Sequence, residues 1–258
     1  MPLRPAVVRV AYHAVGADWD SSLAIPEPTL RAQLRLLRES GYVGLTFAEA
    51  ERRWQAGTLP RRTVVVTFDD GYASVGRALA ALREVGYPAT VFVLPPFVDS
   101  GAPMRWFGVE HEPPERMRPL RWNELASLRE EGWEVGSHTL SHPLLTLVDD
   151  ETLSRELTAS REAIAARFGA CATIAYPYGM ADRRVAAAAR KAGYQAGCSL
   201  TADHTCDTPY RRPRLPLTGT DTGLRLQLGL TAGLKLRRTP LVRAARSLRR
   251  SRPWLPAG

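Results

Sequence analysis

The chain has 258 residues, of which 45% are hydrophobic, and it carries a formal net charge of +9. That length and apolar content suffice for one domain of α/β-barrel size. The longest apolar runs stop well short of a bilayer span, so no transmembrane helix is expected.

In chain order, Val7 to His13 reads as a strand with His13 at its C-terminal end. The segment Met1 to Val15 has Arg4 and Arg9 among its apolar residues and no continuous hydrophobic region, so it reads as a first strand and not a signal peptide. A cytoplasmic protein, or one peripheral at the cytoplasmic face of the membrane, is the expectation. Asp18 to Pro28 reads as a surface loop. Thr29 is placed to cap a helix from Leu30 to Ser40, whose Leu30, Leu34 and Leu37 share one face, and Gly41 ends it. Val43 to Phe47 is a short strand and Ala48 to Gln55 a helix.

The stretch Val64-Val65-Val66-Thr67-Phe68-Asp69-Asp70-Gly71-Tyr72 then reads as a buried strand closed by two adjacent carboxylates and a turn. Two like charges side by side on an apolar strand are costly unless a cation or hydrogen bonds compensate them. An isolated Asp-Asp-Gly reads more simply as a turn with two solvated Asp residues. Ala73 to Val85 has helical periodicity, Ala89 to Leu94 is a strand, and Pro95-Pro96 is expected to stop it. Ser100 to Pro119 is aperiodic and long for a connection, as substrate loops and lids are. Leu120 to Glu131 is helical, and Trp133 to Ser137 is a strand running into His138. Asp149 to Phe168 is a long helix and Ala172 to Tyr176 a strand. Asp182 to Ala192 is a helix, Tyr194 to Leu200 a strand, and Arg214 to Leu217 a last short strand.

This alternation implies a parallel sheet wound as a barrel or an open α/β fold. Working residues collect at the C-terminal strand ends of such folds. His13, Asp69, Asp70, His138 and Tyr176-Pro177-Tyr178 each follow a strand there. Cys171, Cys198 and Cys206 show neither Cys-x-x-Cys spacing nor a disulfide framework, and Cys171 and Cys198 read as buried thiols.

In Gly136-Ser137-His138-Thr139-Leu140-Ser141-His142-Pro143 two histidines stand four apart. The zinc-protease signature shares that spacing but needs Glu directly after the first His, where this chain has Thr139. A strand-to-loop placement still lets both rings converge on one ion. Two His and one carboxylate, with a position left for water, make a sensible catalytic metal site.

Together these residues resemble the polysaccharide deacetylases, with their NodB-homology domain. Thr67-Phe68-Asp69-Asp70-Gly71-Tyr72 is similar to the first motif of that family, His138-Thr139-Leu140-Ser141-His142 to the second and Ala175-Tyr176-Pro177-Tyr178-Gly179 to the third. The similarity runs from about Val8 to Leu217. The resemblance implies an α/β fold, a distorted (β/α) barrel of the NodB-homology type. It also implies Asp69 as general base, Asp70, His138 and His142 as ligands of a divalent metal (zinc by preference), and the backbone N–H of Tyr178 at the oxyanion. Two departures stand out. Many members begin the third motif with an Arg that orients the base, where this chain has Ala175, and the late Leu-x-His motif is missing after Leu217. A permuted subgroup carries that His on the first strand, and Tyr12-His13 resembles it, which implies His13 as general acid. Arg214 is a candidate for orienting Asp69.

The expected activity is removal of N-acetyl groups from N-acetylhexosamine in a glycan, oligosaccharide or glycolipid. The alternatives are a deacylase of another amide or ester and a degenerate carbohydrate-binding protein. Residues 1–217 form the expected catalytic domain and 218–258 a basic extension. From Arg211 onward twelve Arg and Lys face one acid, Asp221, which leaves the first 210 residues at −2. Leu241, Val242, Ala245 and Leu248 share a helical face among arginines, and Trp254 follows. An anionic membrane surface suits that pattern, whereas no nucleic-acid-binding motif is present.

Overall fold

The computed structural model describes residues 6–19, 21–105, 113–200 and 208–221. His111, His204, Cys206 and the stretch 222–258 lie outside the described residues.

Parallel strands and helices alternate through the chain. In order they are β1 (Ala6–Tyr12), β2 (Ala14–Val15), β3 (Ala24–Ile25), α1 (Glu27–Glu39), β4 (Val43–Leu45), α2 (Phe47–Gln55), β5 (Arg62–Phe68), α3 (Leu79–Val85), β6 (Ala89–Val93), α4 (Pro95–Ser100), α5 (Trp122–Glu130), β7 (Glu134–Ser137), α6 (Asp150–Phe168), β8 (Thr173–Ala175), α7 (Arg183–Lys191), β9 (Ala196–Ser199), β10 (Arg212–Pro213) and β11 (Leu215–Pro216). The main sheet runs β10-β9-β8-β7-β6-β5-β1-β11, with β4 also on β5. β4 and β6 share one edge of β5, the first on Thr63–Val65 and the second on Val66–Phe68.

The two ends of that path are joined by the chain itself. β10 pairs with β9 and β11 with β1, and only Arg214 stands between them. Its N–H donates to the Ser199 carbonyl at 2.9 Å, and that of Leu217 to the Ala11 carbonyl at 3.0 Å. This short closing segment makes the sheet a distorted (β/α) barrel.

Strand alternation sorts the side chains into two cores. Val8, Val10, Val64, Val66, Phe68, Val91 and Ile174 join the helices in the outer core, while Val65, Phe92, Ala175, Ala196 and Cys198 form a smaller inner one. The end where the strands begin is plugged by α2, whose Phe47 and Ala50 join the inner core. The Glu134 carboxylate accepts the Ala48 N–H at 2.8 Å, and Thr90 Oγ1 accepts that of Phe47 at 2.9 Å, so the barrel wall satisfies the helix N-terminus. Glu51 on the same helix pairs with Arg212 at 2.7 Å and Arg9 at 3.3 Å.

Several boundaries differ from the sequence expectation for local reasons. The loop after β1 contains β3, paired with β2. α1 starts at Glu27 because Pro28 occupies its first turn, where a missing N–H costs nothing. Pro95-Pro96 opens α4 for the same reason. Ala73–Ala78 is a 3₁₀ helix before α3. The flanks of the long loop are packed down, with Met104 and Met117 buried beside Trp19 and Tyr72. Cys171 and Cys198 are free and buried. Among the described residues no helix is long and apolar enough to cross a membrane.

Burial pushes the Glu134 carboxyl above its ordinary value, against hydrogen bonds from Ala48, Thr173 and Thr90. With a folded pKa above the unfolded one, the stability contribution is complete below the unfolded value and is lost as pH rises through the folded value. Glu134→Gln keeps an acceptor for Ala48 and cannot ionise. Its thermal midpoint is expected to gain on the wild type between about pH 4 and pH 8. Parallel curves would show that this carboxyl titrates in the fold as it does in the unfolded chain.

Candidate functional site

β5 delivers two carboxylates to the rim in succession. The Asp69 N–H donates to the Tyr12 carbonyl at 2.9 Å and so extends the sheet. In a regular strand Asp70 would face away from Asp69. Instead Asp70 takes a left-handed backbone, φ 68°, and both carboxylates feel the charges of His13 and His138. Gly71 follows at φ 70°, where a Cβ would stand 2.8 Å from the Val93 side chain.

His138 continues β7, with its N–H on the Val93 carbonyl at 2.8 Å. Its Nδ1 lies 2.8 Å from the Ala175 carbonyl, which makes Nδ1 the donor and turns Nε2 to the pocket. His142 arrives through a tight loop in which Thr139 has φ 73° and His142 φ 59°. Thr139 Oγ1 accepts the His142 N–H at 3.2 Å. The Nε2 atoms of His138 and His142 lie 3.2 and 3.5 Å from Asp70 Oδ1. That oxygen is buried and makes no well-formed hydrogen bond.

Among the described residues, Asp70, His138 and His142 form a buried group whose ligand atoms all lie within 4.8 Å of one another. A carboxylate oxygen without a hydrogen bond, facing two ring nitrogens, fits a divalent metal ion with a position left for water. Burial pushes His142 down to about 3, which keeps its ring neutral as a ligand must be. Burial also works against positive charge on His138, but the adjacent Asp70 and Asp69 raise its pKa overall. The pocket therefore favours positive charge beside Asp70.

Asp69 has a different partner. Arg214, fully buried, grips both of its oxygens at 2.6 and 2.7 Å and donates to Thr67 Oγ1 at 2.8 Å. Burial alone would raise the Asp69 carboxyl, but Arg214 and His138 bring it below its ordinary value. The guanidinium lies 5.5 Å over the Phe92 ring, in the inner core shared with Ala175 and Cys198.

His13, half-buried after β1, stands near enough for its charge to act on Asp69, Asp70 and His142. Tyr178 takes φ 56°, and its ring meets that of His142 edge-on at 4.6 Å. Gly179 follows at φ 64°, where a Cβ would collide with Leu200. Among the described residues, the four non-glycine residues of positive φ are Asp70, Thr139, His142 and Tyr178, all in this pocket. Such clustering of backbone strain marks functional sites.

Sequence reasoning missed the supports behind the rings. Glu156 on α6 is buried and accepts hydrogen bonds from Leu140 and Ser141, while Ser160 meets Ser137. Their signal was a pair of polar residues four apart on the apolar face of a helix.

The sequence model of the family described as polysaccharide deacetylase matches residues 56–197, more than half of the chain. The chain belongs to the polysaccharide deacetylase family. The matched span includes Asp69, Asp70, His138, His142 and Tyr178, whereas His13 and Arg214 lie outside it. The chain is similar to YxkH of Bacillus subtilis (strain 168), named provisionally as a polysaccharide deacetylase, with 27% identity over 189 residues, covering 72% of this chain and 61% of that one. A chitooligosaccharide deacetylase of Rhizobium leguminosarum bv. trifolii is 33% identical over 105 residues, 40% of each protein. The matches thus span less than two thirds of either relative. The Streptococcus pyogenes deacetylase PplD, solved in complex with acetate, shares the fold at a TM-score of 0.75, with 19% identity over 89% of this chain and 99% of that one.

The buried Asp69–Arg214 pair generates a stability prediction. Removing one partner of such a pair strands a charge and costs about 3–5 kcal/mol. Arg214→Met is expected to lose that much in urea unfolding, and adding Asp69→Asn to recover part of it. An additive double variant would show that the two side chains are not coupled.

Proposed function

We propose that this protein is a metal-dependent hydrolase that removes N-acetyl groups from N-acetylhexosamine residues of a glycan, oligosaccharide or glycolipid. The observation that carries the reading is one rim where two adjacent carboxylates have unlike partners. Arg214 neutralises Asp69, and Asp70 faces two imidazole nitrogens. Family membership and the chitooligosaccharide substrate named for the Rhizobium relative support the substrate class.

Asp70, His138 and His142 would hold the ion, zinc by preference for this nitrogen and oxygen donor set. When bound, a divalent cation supplies a Lewis acid that polarises the acetamide carbonyl and acidifies water. Asp69 takes the proton of the attacking water. Each oxygen retains a lone pair beyond its bond to Arg214, so the bidentate grip orients the base without blocking it. The backbone N–H of Tyr178 donates to the oxygen that gains negative charge as water adds to the carbonyl carbon. His13 gives a proton to the nitrogen as the C–N bond breaks, leaving acetate and a free amine. The basic stretch after Asp221 would hold the enzyme at an anionic membrane surface, where each engaged basic residue adds about 1 kcal/mol.

Acetate release across acetylated sugars, chitin oligomers and peptidoglycan fragments tests the activity. Release from ester acetates or non-glycan amides alone would move the substrate class, and glycan binding without release would leave a degenerate binding protein. Asp69→Asn is expected to abolish release while metal content is retained, and His138→Ala to lose the metal. His13→Ala is expected to lower kcat by about 10²–10⁴-fold with metal and fold intact. Near-full activity of either Asp69→Asn or His13→Ala would place that proton transfer elsewhere. The full chain is expected to co-sediment with anionic but not neutral liposomes, and to be released by salt. Equal recovery of a chain ending at Leu217 would leave the basic stretch without this role.

A further inference from the structure

α6 turns Leu153, Leu157 and Ile164 into the outer core, yet Glu156 and Ser160 lie buried on the same helix. Both reach the loop that carries the two histidines. Glu156 Oε2 accepts the N–H of Leu140 at 2.8 Å and that of Ser141 at 3.0 Å, while Oε1 accepts the Ser141 hydroxyl at 2.6 Å. Ser160 Oγ meets Ser137 Oγ at 2.8 Å, and Ser137 Oγ accepts the Thr139 N–H at 3.1 Å.

The five-residue span from His138 to His142 contains two left-handed residues, Thr139 and His142. Non-glycine residues stay in that conformation only where their surroundings hold them. Leu140 and Ser141 lie between the two bends, and their consecutive N–H groups converge on one carboxylate oxygen. Two N–H groups aimed at one point form a cradle for an anion, and a buried carboxylate there needs such donors. The grip falls on the segment that sets the spacing of the rings.

We infer that Glu156 is a positioning residue for the metal centre. By holding Leu140 and Ser141, its carboxylate keeps the loop in the bends that bring both Nε2 atoms onto Asp70. The inference rests on the reading of Asp70, His138 and His142 as metal ligands. It adds a requirement from an outer helix, some eighteen residues beyond the first histidine and outside the motif that carries the rings.

The test measures zinc affinity of the full chain by competition with a chromophoric chelator, together with the visible spectrum of the cobalt(II)-substituted protein. Glu156→Ala is expected to bind zinc about 10–100-fold more weakly and to change the cobalt bands, while the metal-free protein still unfolds cooperatively in urea. Glu156→Gln keeps an oxygen for the two N–H groups and turns its amide to Ser141 Oγ. It is expected to restore near-wild-type affinity and spectrum. Wild-type binding by Glu156→Ala, or a Gln variant as weak as the Ala variant, would overturn the inference. Should Glu156→Ala fail to fold, Ser141→Ala at an exposed position removes one of the three bonds. Several-fold weaker zinc binding then supports the inference, and unchanged binding overturns it. A wild-type chain that binds neither zinc nor cobalt would remove the ligand reading itself.

Discussion

The pairing of Arg214 with Asp69 is the interaction on which the rest of the site depends. It lies where the chain crosses from β10 to β11 and closes the barrel, so one contact joins the fold to the chemistry. Burying two charges is costly, and such a pair persists when its geometry is good and further contacts offset the loss of water. Here both carboxylate oxygens are gripped, Thr67 takes a further bond, and the guanidinium lies over Phe92. The consequence is chemical. Two neighbouring aspartates that would repel one another become unlike groups, one neutralised by a fixed cation and one left facing two imidazoles.

That division needs a backbone no regular strand supplies. Asp70, Thr139, His142 and Tyr178 all sit in the left-handed region. Each such residue costs of order 1–3 kcal/mol. Hydrogen bonds accepted by the side chains of Ser137, Thr139 and Glu156 offset the strain along the histidine loop. At the other two bends, packing decides: Val93 leaves room only for Gly71, and Leu200 only for Gly179. The rim is thus a set of forced bends held by outer elements, and α6 is the brace behind the rings.

The barrel interior is polar at both ends and apolar between. Glu51 with Arg9 and Arg212, and Glu134 with Thr90 and Thr173, occupy the end plugged by α2. Arg212 and Arg214 alternate on one short segment, and each finds a carboxylate at a different level. Barrel closure and the grip on Asp69 therefore come from the same five residues, Arg212 to Pro216. PplD shares this fold at 19% identity, as expected when barrel architecture depends on burial pattern more than on particular side chains.

The sequence by itself determined the longer strands and what stands at their ends. The valine run before Asp69-Asp70, the strand into His138 and the turn at Pro177-Tyr178-Gly179 are legible because apolar runs and turn residues act over a few neighbours. Capping and proline chemistry went partly unread, so α1 begins earlier than periodicity suggests, α4 was not expected at all, and the first turns after Tyr72 are 3₁₀. Arg214 could be named only as a candidate to stand in for the arginine that position 175 lacks. Only closure of the sheet decided that its guanidinium reaches Asp69, 145 residues away. Glu156 and Ser160 were hidden because periodicity tells which face of a helix is buried and not what it is buried against. Those assignments belong to tertiary structure, since the energy of a buried charge depends on partners that the fold brings from distant parts of the chain.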